Sequence, residues 1–371
     1  MDVLKKVLPF IFFITTLLWL SKALFLHNYP DFNVFYGGLH TYLAGGNPYL
    51  QVQGSSMKFL YPPFALYFFF PLILFSRSVA SIVWVALSII FLILSIVLLF
   101  KIQKQKIISS QFCILSGLIF LMFPVKFNLG MGQFNNVNLL LISLAMYFFV
   151  KHRQTLSGIS LGLSLLLKVF PFLLVFYFLI IKKWKLTITI FITVLLGMLF
   201  GAVVISWPLT VHFLTSSLFG TLKSWPLDYY NQALSGLLGR SLGVGEAVSR
   251  LKIVITAILL AITLTVVWHK RNNSPTYLLG IASILPLSLM TLSFSWQHYF
   301  VLVIPALVLL YFHYQKIKAS RVLWGLLALS YGLIGFNLAH PESVPVLLRS
   351  HVFFGTSLLF ILLLREVIVY D

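Results

Sequence analysis

Long apolar runs separated by short basic clusters follow one another from Val7 almost to the last residue, and this alternation admits one kind of fold. A membrane span needs roughly 20 mostly apolar residues. With 60% of its 371 residues hydrophobic and 9% charged, the chain carries more apolar side chains than a soluble core of that length can bury. The sequence therefore predicts an all-α, multi-pass transmembrane bundle and excludes a soluble enzyme with an apolar anchor. Cys113 is the single cysteine, so an intrachain disulfide and a thiolate metal site are both ruled out. The metalloprotease, Walker and dinucleotide-binding patterns are absent as well.

Charge sets the orientation. There are 26 Lys plus Arg against 7 Asp plus Glu. In a soluble protein that excess points to nucleic acid; between membrane spans it points to cytoplasmic loops. Met1 to Lys6 is basic and the run after it is too long, and lacks the small-residue cleavage pattern, for a signal peptide. The amino terminus is therefore expected in the cytoplasm. Placing the clusters at 101–106, 151–153, 182–185, 269–273 and 315–321 and Arg365 on that same side predicts twelve crossings. They fall near 7–26, 79–100, 110–127, 136–150, 155–167, 170–181, 186–206, 250–268, 275–294, 299–314, 321–338 and 350–364. The carboxyl terminus returns to the cytoplasm. Runs 155–167 and 170–181 are short enough to require broken or tilted helices around a cavity. Tyr61 to Phe75, fifteen residues opened by Pro62-Pro63, reads as a re-entrant or interfacial segment.

With that parity the polar residues of interest gather outside the cell membrane. The first outer loop, 27–78, opens on Asn28-Tyr29-Pro30-Asp31, and apolar residues at helical spacing follow up to Gly45-Gly46. This predicts an amphipathic helix along the membrane surface, capped by Asn28 or Asp31. Asp2, Glu366 and Asp371 fall inside, so only Asp31, Asp228, Glu246 and Glu342 offer a carboxylate to an outer site. Asp31 reads equally as a cap or as a general base. Lys168, flanked by apolar sequence on both sides, either snorkels or meets an anion such as a lipid phosphate; Lys126 is a weaker case of the same kind. Amides at Gln133, Asn135, Asn231 and Gln232 suit a hydroxyl-rich ligand, or serve as caps and interhelical links. His298, in Ser295-Trp296-Gln297-His298-Tyr299, reads as a helix-end residue or a partner for phosphate or a sugar hydroxyl. No second histidine or acid stands at ligand spacing, so metal binding is not expected.

Taken in order, Asp31-Phe32-Asn33-Val34-Phe35-Tyr36, Gly46-Asn47-Pro48-Tyr49, Tyr61-Pro62-Pro63-Phe64, Gly132-Gln133-Phe134-Asn135, Gly158 to Lys168 and Pro171, Asn231-Gln232 through Gly236 to Arg240, and Ser295-Trp296-Gln297-His298 resemble glycosyltransferase family 87. The resemblance runs from about residue 31 to 299. It departs at Tyr299, where the family often has a second histidine, and at Ala233, where it often has serine. It implies a single integral-membrane domain over 1–371 of GT-C type, with a catalytic first outer loop and a second large outer loop at 207–250. It further implies Asp31 as catalytic base. For the donor phosphate it implies Lys168 and Arg240 first, with Lys126 and His298 behind them. Tyr36, Gln133, Asn135, Asn231, Gln232 and Trp296 would meet the sugar or acceptor. The implied activity is inverting, metal-independent transfer of a hexose, mannose first, from a polyprenyl-phosphate donor to an extracytoplasmic glycolipid or glycan. Arabinofuranose transfer is the alternative within the class. A lipid or sugar transporter is the alternative outside it, disfavoured because the polar groups collect at outer helix ends rather than at a midplane of paired repeats.

Overall fold

The computed structural model describes residues 2–26 and 28–370, the side chains of residues 2–6 and 222 excepted. The expectations for Met1 to Lys6 as a cytoplasmic basic cluster and for Asp371 as a cytoplasmic acid lie outside the described side chains. Every regular element among the described residues is helical. Each of the twelve expected runs contains helix, but their lengths differ in what they can do. Seven helices are long and apolar enough to cross a membrane, eight if the pair Ser110–Leu121 and Phe123–Met131, bent by 61°, is one span. Asn135–Val150, Gln154–Leu167, Phe170–Ile180 and Arg321–Gly335 are shorter apolar helices. Length and composition alone thus support seven or eight crossings of the twelve expected. The chain divides into two compact units that interleave along the sequence.

The first unit comprises residues 1–121, 125–169 and 188–223. It begins with α1 (Asp2–Ser21), α2 (Pro30–Leu43), α3 (Phe64–Phe68) and α4 (Arg77–Ile102), then α5 (Ser110–Leu121), α6 (Phe123–Met131), α7 (Asn135–Val150) and α8 (Gln154–Leu167). Pro124, which lacks a backbone N–H, suits the first turn of α6 and explains why the helical pair breaks rather than continues. α1 lies on α5 because Gly117 leaves room for the Phe12 ring, which a Cβ there would meet at 2.4 Å. α4, α7 and α8 pack in series and are tied by polar side chains: Asn136 Nδ2 donates to the Ser88 carbonyl and hydroxyl, Ser157 Oγ to the Ala145 carbonyl, and Ser164 Oγ to Asn138 Oδ1. Where apolar surface alone gives helices no reason to associate, such small and polar contacts fix their register.

One expectation for the first loop is corrected. α2 forms, with Pro30 at its first turn, but neither Asn28 nor Asp31 caps it; Tyr29 holds the cap position without a side-chain bond, and Asn28 Oδ1 instead accepts from Asn33 Nδ2 at 2.9 Å. The helix itself forms as expected, with its apolar positions turned to the protein interior. Phe32, Phe35 and Leu39 are fully buried, together with Val34 and Tyr36. Gly45, with φ of +79°, terminates it in the left-handed conformation that glycine adopts without strain. Segment 61–75 forms α3 and a 3₁₀ turn, Phe70–Leu74, rather than a spanning helix.

The second unit comprises residues 122–124, 170–187 and 224–371. The chain reaches it through α9 (Leu173–Ile180) and leaves through α10 (Trp184–Phe200), followed in the first unit by α11 (Trp207–His212) and α12 (Leu218–Lys223). It returns with α13 (Leu234–Leu242), α14 (Glu246–His269), α15 (Tyr277–Thr291), α16 (Ile304–Lys316), α17 (Arg321–Gly335) and α18 (His351–Val369). Tyr177 of α9 donates to the Tyr277 carbonyl at 2.8 Å and lies over Gly280, where a Cβ would sit 2.5 Å from the phenol oxygen. Ser330 of α17 donates to the Gly355 carbonyl of α18, again at a glycine contact. The buried pair of His313 and Glu366, 3.1 Å apart, links α16 to α18.

Candidate active site

Asp31 sits in the first turn of α2, half-buried, and its Oδ2 accepts a hydrogen bond from Gln133 Nε2 at 3.1 Å. The same Gln133 nitrogen donates to the Tyr61 hydroxyl at 2.8 Å, while Gln133 Oε1 accepts from the Phe134 N–H. One amide therefore joins three segments far apart in sequence. Its position depends on Gly132, whose φ of +67° is left-handed. A Cβ at Gly132 would also lie 2.6 Å from Phe32 Cβ and 3.0 Å from Tyr29 Cβ. The glycine lets the loop press against the start of α2 and carry Gln133 to the carboxylate. Gly132→Ala is expected to cost about 1–2 kcal/mol in backbone strain and to lower turnover by more than that loss of stability explains. Parallel thermal unfolding and activity measurements separate the two effects.

Lys168 ends α8 in an extended conformation, φ −158° and ψ 127°, before Pro171. Its ammonium is buried and donates to Asn135 Oδ1 at 2.8 Å; Asn135 Nδ2 in turn donates to Asn128 Oδ1 at 2.9 Å. Asn128 Nδ2 is buried with no acceptor among the described residues, a spare donor in the same amide chain. Charge couples the two sites. Burial raises the Asp31 carboxyl from 3.8 to about 6, opposed by the Lys168 charge and the Gln133 bond. Burial lowers Lys168, opposed by Asp31. A poorly hydrated site thus contains a carboxyl that, at about 6, is still acidic enough to be ionised at neutral pH, beside Lys168, whose charge opposes the rise. Tyr61 is pushed up by burial and by the Asp31 charge, so its hydroxyl stays neutral.

The other three carboxylates expected on the outer side have no comparable setting. Asp228 and Glu342 are exposed, and Glu246 forms an exposed pair with Arg250 one turn away. Several expected site residues have other partners. Lys126 lies 3.8 Å from the Trp19 ring centroid, a cation–π contact. Tyr36 gives its hydroxyl to the Phe75 carbonyl at 2.9 Å.

Arg240, Asn231, Gln232, Trp296 and His298 belong to the second unit. There Asn231 bonds the Pro226 carbonyl, the Ser235 hydroxyl and the N–H groups of Ala233 and Ser295. Gln232 bonds the carbonyls of Tyr229 and Arg349 and the N–H of Phe353. These amides knit loops together. Arg240 donates to the carbonyls of Asp228 and Asn231 and to Ser350 Oγ; burial, then Arg349, lowers it to about 10. His298 is buried against Tyr299, and half-buried Trp296 pairs by backbone with Asn231 and by ring with Phe294. Tyr61 and Asn128 are the residues that sequence reasoning did not single out. For Tyr61 the signal was present in Tyr-Pro-Pro, a rigid turn that fixes a polar ring next to apolar sequence.

Its apolar helices and its family make this chain a membrane-embedded glycosyltransferase. The sequence profile of glycosyltransferase family 87 matches residues 59–295, and the chain belongs to that family. Tyr61, Gln133, Asn135 and Lys168 fall inside the matched range, while Asp31 precedes it. A polyprenol-phosphate-mannose-dependent alpha-(1-2)-phosphatidylinositol pentamannoside mannosyltransferase of Mycolicibacterium smegmatis is 26% identical over 82% of this chain and 75% of its own. A polyprenol-phosphate-mannose-dependent alpha-(1-2)-phosphatidylinositol mannoside mannosyltransferase of Mycobacterium tuberculosis is 23% identical, over 76% and 69%. Among solved structures, ArnT from Cupriavidus metallidurans bound to undecaprenyl phosphate aligns with 97% of this chain and 77% of its own, at 15% identity and a TM-score of 0.46.

Proposed function

We propose that this glycosyltransferase moves mannose from a polyprenyl phosphate to a glycolipid or glycan acceptor on the outer side of the membrane, with inversion. The observation that carries the reading is the pairing of Asp31, held by Gln133, with buried Lys168, held by Asn135. In the proposed step Asp31 takes the proton of the acceptor hydroxyl as that oxygen attacks the anomeric carbon. The bond from that carbon to the phosphate oxygen breaks, and the lipid phosphate leaves with the electron pair. Lys168 balances the charge it gains, so that no metal ion is assigned a role. The spare donor of Asn128 and the amide of Asn135 suit sugar hydroxyls or phosphate oxygens. Arg240, Lys126 and His298 keep the contacts described above, and the reading rests on Lys168.

Two further points support it. The names of the two mycobacterial relatives specify polyprenol-phosphate-mannose as donor and a phosphatidylinositol mannoside as acceptor. The basic clusters that separate the runs favour a cytoplasmic position for most cations under the positive-inside rule, and with it an outer position for Asp31 and Lys168. The test is a transfer assay with the purified chain and polyprenyl-phosphate mannose or arabinofuranose against a panel of glycolipid acceptors. Mannose transfer is expected. Transfer from the arabinofuranose donor alone would replace the sugar, and equal transfer by an Asp31→Asn variant would remove the proposed base.

A further inference from the structure

A second polar site lies on the face of α2 turned away from Asp31. Asn33, Tyr36, Gly37 and His40 recur at helical spacing and line a cavity of about 270 Å³. Asp31 precedes Asn33 by two residues, which is about 200° around a helix, so the helix itself separates this cavity from the carboxylate. The remaining wall comes from Gln53 and Gly54 of the following loop and from Arg77, the first residue of α4.

The chemistry of the wall favours an anion. Arg77 Nε donates to Asn33 Oδ1 at 2.8 Å, which fixes the guanidinium plane. Its Nη1 reaches to 3.3 Å from where a Cβ on Gly54 would stand; the φ of +72° there suits glycine, and its lack of a side chain keeps that approach open. His40 stacks on Tyr36, with ring centroids 4.5 Å apart, and its Nε2 is buried without a hydrogen-bond partner among the described residues. Tyr36 has already given its hydroxyl to the Phe75 carbonyl. No carboxylate lines the cavity among the described residues. A planar guanidinium held by one nitrogen presents its others as a fork, the geometry that matches phosphate.

The place of Arg77 indicates where such a phosphate comes from. It opens a 26-residue helix, long and apolar enough to cross a membrane. A cation at the first residue of such a helix lies at the level of lipid headgroups. We infer that this cavity binds the phosphate of an anionic lipid headgroup, at a site separate from the one containing Asp31 and Lys168. The inference does not depend on the sugar or the acceptor proposed above.

The test uses the full chain purified in a neutral detergent. Thermal stabilisation is titrated with short-chain phosphatidylglycerol, with short-chain phosphatidylcholine and with inorganic phosphate. Phosphatidylglycerol is expected to raise the unfolding temperature in the wild-type chain and in Lys168→Met, whose phosphate-binding ammonium belongs to the other site. Arg77→Gln is expected to raise the half-saturating concentration at least about tenfold. If that variant folds poorly, Gln53→Trp fills the cavity from an exposed position, leaves Arg77 in place, and is expected to give the same loss. An equal response to phosphatidylcholine, or an unchanged response in both variants, overturns the site. A response to inorganic phosphate at concentrations where the lipid has none overturns the headgroup assignment.

Discussion

Asp31→Asn is expected to lower sugar transfer by roughly 10² to 10⁴, the usual contribution of a positioned general base, without lowering thermal stability. The amide oxygen still accepts the Gln133 hydrogen bond, so the geometry at α2 is retained. What disappears is the capacity to take a proton. The acid limb of the pH profile carries the same information. With Asp31 at about 6, kcat/KM is expected to fall about tenfold per pH unit below 6 in the wild-type chain. Stability runs the other way. Because the folded carboxyl is raised above its ordinary 3.8, the folded state binds the extra proton between about 4 and 6. The protein is therefore stabilised as pH falls through 6, and the ionised carboxylate costs about 3 kcal/mol at neutral pH. Asn removes that cost and also removes the counter-charge of Lys168, so an unfolding temperature at or above wild type is the expected result. A drop of several degrees with retained transfer would make Asp31 a structural residue.

How far these features were legible before the structure depends on the range of the contacts. Apolar runs and basic clusters announce helices locally, and each expected run contains one. Chain order and residue type also singled out Asp31, Gln133, Asn135 and Lys168. What periodicity does not encode is which of these meet. The Gln133 bond to Asp31 spans 102 residues, its bond to Tyr61 spans 72, and Lys168 to Asn135 spans 33. Those distances are closed by the packing of α7 on α4 and α8 and by the left-handed turn at Gly132, neither of which has a local pattern. The same reasoning covers the contacts that local pattern does not foretell. The contacts of Lys126 with Trp19 and of Tyr36 with the Phe75 carbonyl are likewise supplied by other segments. The cap expected at Asn28 or Asp31 failed because Pro30 and the cross-chain bonds position α2 without one.

Lys168→Met separates a functional cation from one that merely reaches toward water. Methionine keeps an unbranched side chain of similar length and removes the charge, so the packing at the end of α8 is disturbed little. A hydrogen bond to a charged group contributes about 1.5–3 kcal/mol, which predicts a KM for the lipid-phosphate donor raised roughly 10- to 100-fold. If the ammonium also meets charge that grows on the departing phosphate, kcat falls in addition by roughly 10² to 10³. A third effect follows from its coupling to the carboxylate. Lys168 opposes the rise of Asp31, so without it the acid limb of the activity profile moves above 6, toward neutral pH. Lys168→Arg, which restores the charge, is expected to return the limb while recovering only part of the donor affinity, since a guanidinium does not reproduce the single bond to Asn135. A lysine that only snorkels produces none of these shifts. Unchanged donor KM together with an unmoved acid limb in Lys168→Met would therefore detach the ammonium from both phosphate and carboxylate, and leave Asp31 to act without a cationic partner.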